Sequence, residues 1–309
     1  MKKFIRNYLV GDIPVSEYST VTVRNEIIEK VYLEAGHIKK DISNTHWLLC
    51  LNPIVFGIWF RKDENIIAPG KDSLSKMYFK DSESDGIDVA VLELTLLDKI
   101  EEEDGTLILL KLGNVAVNHV SRFKTWVIFY RYYKKPEQNF YKLKSYSAAY
   151  SYPRKVRLIS FKENNWFNIF PMDLVGDIPG SNRYVFGLRH TNVTLARIIE
   201  TKKMVVSEIP YQFKDLIYQL GKHHRQPLSE TKLSFEIIQS DIYKFPVPVW
   251  AVSYKEIKVV KTLNLGSHML LWGEEINVRN LSNQSGHLYH IHFLHYLHQK
   301  IKEQAYPLI

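Results

Sequence analysis

The sequence predicts a mainly β fold with a few helices. Three observations predict it. Aromatic residues make up 13% of the 309 positions, and aromatic and β-branched residues suit the pleated, half-buried surface of a strand. Short apolar or alternating runs recur along most of the chain, punctuated by Asn, Asp, Gly and Pro. Only two internal segments carry the i, i+3, i+4 apolar spacing of a helix. At 45% hydrophobic and 24% charged the composition is globular, and the length allows one large domain or two ordinary ones.

In the first half, residues 20–24 alternate and residues 27–33 give a second candidate strand. The apolar runs 48–51 and 54–60 are split by Asn52-Pro53, a turn or bulge signal. Residues 88–94 and 106–112 flank the acidic connection Glu101-Glu102-Glu103-Asp104-Gly105, whose Asp-Gly step is a hairpin signal. Residues 124–133 read as a further strand. The pattern weakens between 134 and 152, where Pro136, Glu137, Gln138 and Asn139 open a polar stretch, and a soft boundary falls near residue 148. No internal repeat is convincing in the sequence, although both halves could carry a barrel-like sheet whose sequences have diverged.

The second half is better defined. Residues 155–161 alternate as a strand should, Glu163-Asn164-Asn165 makes a turn, and residues 166–170 form the next strand. A third strand spans 184–188. Thr191 or Asn192 can cap a helix whose apolar face is Leu195, Ile198 and Ile199. Residues 204–209 return as a strand. Phe213, Leu216, Ile217 and Leu220 mark a second helix, with Gly221 just past its end. Residues 249–263 and 268–278 pair across Asn264-Leu265-Gly266-Ser267, and residues 288–294 either close the sheet or start a terminal helix.

Several function classes lose support at this level. The single cysteine, Cys50, allows no internal disulfide and no thiolate metal cluster; it sits in an apolar run and reads as a small buried hydrophobe. The start has basic residues but no apolar region of signal-peptide length, and no apolar stretch reaches the ~20 residues of a membrane span. A cytoplasmic protein with no membrane association is therefore expected. The formal charge is +8, with Lys and Arg spread among Asp and Glu, which is the pattern of a solvated mixed surface. The run Arg131-Tyr132-Tyr133-Lys134-Lys135 reads as an exposed amphipathic face, and no nucleic-acid partner is expected. There is no GxGxxG, P-loop or GxSxG motif. Five of the 12 histidines lie at 287–298, without the carboxylate-rich pattern of a zinc motif, so no metal is expected.

Two segments carry a family resemblance: Asn168-Ile169-Phe170-Pro171-Met172-Asp173 and Gly266-Ser267-His268-Met269-Leu270-Leu271-Trp272-Gly273-Glu274. In that order and at that separation they resemble the FMN-binding split barrel of the flavin reductase-like family. Leu288-Tyr289-His290 is similar to that family's apolar-Tyr-His final strand. The resemblance covers residues 149–309 and leaves 1–148 as a β-rich region, an extension or a degenerate second barrel. It implies FMN as cofactor and NAD(P)H as hydride donor. It also implies a homodimer, or a pseudo-dimer within one chain if the first half is also a barrel.

A flavin mononucleotide needs donors for its phosphate, polar groups along its ribityl chain, and an apolar wall with donors where charge grows on the ring. Arg189-His190-Thr191-Asn192 joins a strand end to a helix start, where backbone N–H groups and a guanidinium suit a phosphate. The resemblance places Asn168, Ile169, Phe170 and Asp173 along the ribityl chain and ring edge. Here the chain departs from the family, with Phe170-Pro171-Met172-Asp173 where Thr, Ala and Ser are usual. Lys222, His223 and Arg225, after the second helix, are candidates for an anionic group. His268 is the candidate catalytic residue, at the place where the family sets a histidine beside flavin and nicotinamide. The implied function is an oxidoreductase that moves electrons between NAD(P)H and flavin or a downstream acceptor. The alternative is a non-catalytic flavin or anionic-ligand binding protein.

Overall fold

The computed structural model describes residues 2–10, 18–23, 27–64, 74–82, 86–133, 139–284 and 286–301. Its strands are β1 (Tyr18–Val23), β2 (Lys30–Ala35), β3 (Ile38–Asp41), β4 (His46–Leu51), β5 (Ile54–Arg61), β6 (Ser75–Lys80), β7 (Asp88–Glu101), β8 (Gly105–Val117), β9 (Arg154–Lys155), β10 (Arg157–Glu163), β11 (Trp166–Met172), β12 (Val175–Asp177), β13 (Arg183–Arg189), β14 (Lys203–Glu208), β15 (Ile237–Gln239), β16 (Pro246–Pro248), β17 (Ser253–Asn264), β18 (His268–Asn280) and β19 (His287–His292). The α-helices are α1 (Lys2–Val10), α2 (Arg122–Ile128), α3 (Phe140–Ala149), α4 (Leu195–Thr201), α5 (Lys214–Leu220) and α6 (Phe293–Ile301).

Two seven-stranded antiparallel sheets hold the core. One is ordered β3-β2-β6-β7-β8-β5-β4, the other β11-β10-β14-β17-β18-β13-β12. Local chemistry explains their hairpins. The β10–β11 turn places Asn164 at φ +48°, a left-handed conformation that Asn tolerates. The β17–β18 hairpin turns through Gly266 at φ +115°. A Cβ there would lie 2.7 Å from the backbone oxygen of Asn52, so glycine is required both by conformation and by the close approach of the other sheet.

The sheets meet through β4 and β5 on one side and β12, β13 and β18 on the other. Leu49, Trp59, Leu107, Val185, Leu270 and Trp272 form a shared apolar cluster. The Trp59 and Trp272 rings lie 6.0 Å apart, within the range of a favourable aromatic pair. Gly176 lies against the Trp47 ring, at a distance where a Cβ would overlap it.

The structure differs from the sequence reading in four places. Residues 124–133, read as a strand, are helical: α2 continues into a π-helical turn, Phe129–Tyr133. Ser121 caps it by accepting from the N–H of Lys124, and Thr125, Ile128 and Phe129 share the buried face, a 3.6-residue period that the mixed polarity hid. Lys134 and Lys135 of the same run lie outside the described residues. The weakly patterned stretch before residue 148 holds α3, capped by Asn139, which accepts from the N–H of Lys142. Its buried side includes Ser145, Ser147, Ala148 and Ala149, too small and polar to read as an apolar face. The helix expected at Thr191 or Asn192 starts later, at Leu195, with Thr194 at its N-cap position. Residues 287–292 form strand β19, which does not close the sheet, and the terminal helix α6 starts only at Phe293. β19 joins neither large sheet: it pairs with β1 and β9. No helix among the described residues is long and apolar enough to cross a membrane.

Candidate functional site

A cavity of about 820 Å³ opens where several element ends converge. Antiparallel pairing sets Arg189, the last residue of β13, opposite His268, the first of β18. The end of β11 and its connector add Pro171 to Leu174, α5 and the turn after it add Tyr218, Lys222, His224 and Arg225, and β19 adds His290. Tyr150, just past α3, and Leu51, from β4, complete the wall. The volume is in the range of about 300–1,000 Å³ usual for small-molecule sites.

Arg189, Thr191, Lys222 and Arg225 line the cavity and are exposed. None of the three cations has a carboxylate within ion-pair distance among the described residues. Such a set raises the local concentration of anions.

His268 is 1% exposed. Its Nδ1 lies 2.8 Å from the Ser267 hydroxyl and 3.5 Å from the Leu51 N–H. The Leu51 N–H can only donate, so Nδ1 facing it is an acceptor and the Ser267 O–H donates to it, while the Ser267 oxygen accepts from the Asn52 N–H at 3.0 Å. This makes Nδ1 the acceptor and leaves the proton on Nε2. Nε2 is buried without a hydrogen-bond partner. Burial, helped by the charge of Arg189, lowers the imidazole to about 4, so it is neutral at pH 7. An orphaned buried donor in a cavity wall is costly unless a ligand meets it.

Asp173 and His290 form a second polar group, with Oδ2 to Nδ1 at 2.9 Å. The His290 Nε2 lies 3.2 Å from the Tyr218 hydroxyl. Burial pushes the carboxyl of Asp173 up, but hydrogen bonds from His290 and Tyr150 and the charge of Arg154 hold it below the usual carboxylate range. The group is an anion inside an otherwise cationic site. His224 supplies a third imidazole. Its Nε2 donates to the Pro171 carbonyl at 2.7 Å and its Nδ1 accepts from Asn192 Nδ2 at 2.9 Å, and burial lowers its pKa.

The residues singled out from sequence divide into two sets. Asp173, Arg189, Thr191, Lys222, Arg225 and His268 come together in the cavity wall. The others do not line it. Asn168 is fully buried: its Nδ2 donates to Thr194 Oγ1 at 2.7 Å and to the His223 carbonyl at 2.9 Å, and its Oδ1 accepts from the Leu228 N–H at 3.3 Å. It braces β11 against α4 and the turn after α5. Ile169 and Phe170 are core residues on opposite faces of β11, and Phe170 packs 4.9 Å from the His224 ring. His190 is exposed and bonds Asn264 Oδ1 at 3.1 Å. Asn192 is buried, and its Oδ1 accepts from the Thr194 N–H. His223 is buried and donates to the Gln226 carbonyl at 3.0 Å.

Sequence reasoning missed His224, Tyr218, Tyr150 and Leu51. His290 was visible in the Leu-Tyr-His run, but its pairing with Asp173 was not. The tail histidines have other partners: His295 Nε2 lies 3.0 Å from Glu29 and His298 Nε2 lies 2.6 Å from Asp81, all buried. Among the described residues no group of three or more His, Cys, Asp or Glu is placed to hold a metal.

No protein-family model matches the chain, and no curated protein matches it. Solved structures similar to about half of it are flavin reductases and FMN-binding proteins. An FMN-binding protein from Thermus thermophilus is 16% identical, with a TM-score of 0.38 over 42% of this chain and 73% of that one. The NADH:FAD oxidoreductase SgcE6 of Streptomyces globisporus C-1027 is 13% identical, with a TM-score of 0.44 over 50% of this chain and 90% of that one. A flavoredoxin from Methanosarcina acetivorans is 18% identical, with a TM-score of 0.37 over 43% and 70%.

Proposed function

We propose that the chain binds a flavin, FMN, in the cavity beside Arg189 and His268, and acts as an oxidoreductase between NAD(P)H and flavin or a downstream acceptor. One observation carries this reading: three cations without carboxylate partners line a cavity that also holds a buried, unpartnered imidazole N–H. That donor set fits an anionic ligand with a polarisable ring. Arg189, Lys222 and Arg225 would hold the phosphate through charge-assisted hydrogen bonds. Thr191 adds a hydroxyl. His268, neutral, would donate from Nε2 to a position where negative charge grows. Pro171 offers no N–H, and its carbonyl is taken by His224, so that part of the wall serves as apolar surface. Asp173 stays ionised and repels the phosphate, which favours one orientation of the ligand. When bound, a flavin supplies the hydride-accepting ring. The flavin-binding unit in this reading is residues 149–309.

Titration of the purified protein with FMN and riboflavin, followed by NADH and NADPH oxidation with FMN present, tests the reading. Saturable binding that favours FMN, with nicotinamide oxidation, is expected. Absence of flavin binding would remove the proposal. Binding without oxidation by either nucleotide would leave a flavin-binding protein without reductase activity.

A further inference from the structure

We infer that the first seven-stranded sheet and its turns, residues 27–117, act as a built-in second subunit. This unit repeats the fold of residues 157–280, lacks a ligand cavity of its own, and completes the cavity of the other, so the chain works as a monomer with one site. The inference does not depend on which ligand the cavity takes.

The repeat is visible in the topology. Numbered by appearance within each unit, β2 to β8 match β10 to β14 followed by β17 and β18, and both sheets then have the same strand order. The match extends to the turns. The β2–β3 and β10–β11 hairpins each turn through two residues, the first with positive φ, Gly36 and Asn164. The β7–β8 and β17–β18 hairpins each turn through three residues, 102–104 and 265–267.

The units also touch reciprocally. Asn52, at the tip of the β4–β5 hairpin, grips the β17–β18 turn: its N–H donates to Ser267 Oγ at 3.0 Å, and its carbonyl accepts from the Ser267 N–H at 2.7 Å. Arg183, which opens β13 at the end of the β12–β13 turn, pairs with Asp104 of the β7–β8 turn. Each hairpin thus binds the equivalent turn of the other unit. That is the arrangement of a two-fold subunit interface, where patch i meets j and j meets i.

Among the described residues, the equivalent position in the first unit is filled. Strand register makes Arg61 and Gly105 the counterparts of Arg189 and His268, since each pair faces across the same two strand ends. The imidazole is therefore replaced by glycine. Two residues before the end of the strand, Trp59 stands where Gly187 lines the cavity, and its indole is fully buried against the position of Gly105. The Arg61 guanidinium is engaged by Asp63 and Glu64 at 3.7 and 3.8 Å. The wall that carries Tyr218, Lys222, His224 and Arg225 belongs to residues 209–252, between β14 and β17. The matching connection in the first unit, between β6 and β7, is only residues 81–87.

The first unit nevertheless serves the surviving site. Leu51 lines the cavity, and its N–H faces Nδ1 of His268 at 3.5 Å. The Cys50 sulfur lies 3.6 Å from the same nitrogen. The backbone of Leu49 packs so closely on Gly187 that a side chain there would overlap it. Cys50, Leu51 and Asn52 are thus positioning residues for His268.

Native mass spectrometry of the full chain, alone and with excess FMN as probe, tests the inference. A 36.3 kDa species that takes up one FMN per chain is expected. A predominant two-chain particle, or two saturable FMN per chain, overturns it. If no FMN binds, a single-chain mass still supports the built-in partner, and it is the flavin proposal that falls. In the variant Leu51→Trp, at least a tenfold loss of FMN affinity at unchanged mass is expected. Wild-type affinity in that variant, with FMN binding to the parent, would overturn the claim that the first unit completes the site.

Discussion

Asp173 and His290 stand 117 residues apart in sequence and meet at 2.9 Å, carboxylate Oδ2 to imidazole Nδ1. The contact ties the connector after β11 to strand β19, which belongs to a different sheet. Nδ1–H donates to the carboxylate, and Nε2 meets the Tyr218 hydroxyl at 3.2 Å.

Removing one side of this pair takes a hydrogen bond from the other in a largely buried place. Asp173→Ala is expected to lower unfolding free energy by about 1–3 kcal/mol, the penalty of an unsatisfied buried group. Tyr218→Phe, which leaves Nε2 closer to solvent, is expected to cost about 0.5–1.5 kcal/mol. Urea unfolding of the two single variants and the double variant measures the coupling. Strict additivity would show that Tyr218, His290 and Asp173 do not act as a connected chain.

Arg189→Ala is expected to weaken FMN by about 1.5–3 kcal/mol, the range for a hydrogen bond to a charged group, while riboflavin affinity stays nearly constant. The difference isolates the phosphate. Equal losses for the two ligands in calorimetric titrations would move the phosphate away from Arg189.

His268→Ala is expected to slow flavin reduction by NAD(P)H more than it weakens FMN binding. Hydride-transfer geometry is sensitive to displacements of about 1 Å, whereas the phosphate contacts lie on other residues. Stopped-flow reduction and flavin titration on the same variant separate the two. A collapse of FMN affinity with a wild-type rate for the bound fraction would make His268 a binding residue only.

Acid should destabilise the fold above the carboxylate range. Burial, with the charge of Arg154, lowers His46 to about 3, burial beside His295 lowers His292 to about 3, and His268 stands at about 4. In the unfolded chain each takes up a proton near pH 6.5. Between about pH 6.5 and 4 the unfolded state therefore binds more protons, and stability falls as pH falls. Each of the three is expected to contribute about 1–2 kcal/mol of loss between pH 7 and 5. Urea midpoints across that interval check it, and His46→Gln should flatten the slope. A flat wild-type profile would mean that these imidazoles are not held neutral.

Much of this protein was legible from local signals. Runs rich in apolar residues marked β5, β7, β8 and β13, and alternation marked β10, because their side chains pack into cores, and Asn-Asn, Asp-Gly and the Asn264–Ser267 connection marked their turns. The segments holding Asp173 and His268 stood out through the family resemblance, and Arg189 and Lys222 as basic residues at a strand end and past a helix end. What sequence could not supply was the identity of the covering partner. Asn168 reads as a ligand contact until Thr194 and His223 take both of its N–H donors and the Leu228 N–H occupies its oxygen, inside the core. Residues 124–133 read as a strand until a capped, buried helical face appears. Leu51 carries no signal, and it reaches the cavity only because β4 crosses onto the other sheet. Periodicity reports which face of an element is buried, whereas the element that buries it is set by long-range packing, and that is why the repeated strand order and the single completed cavity emerged only from the tertiary structure.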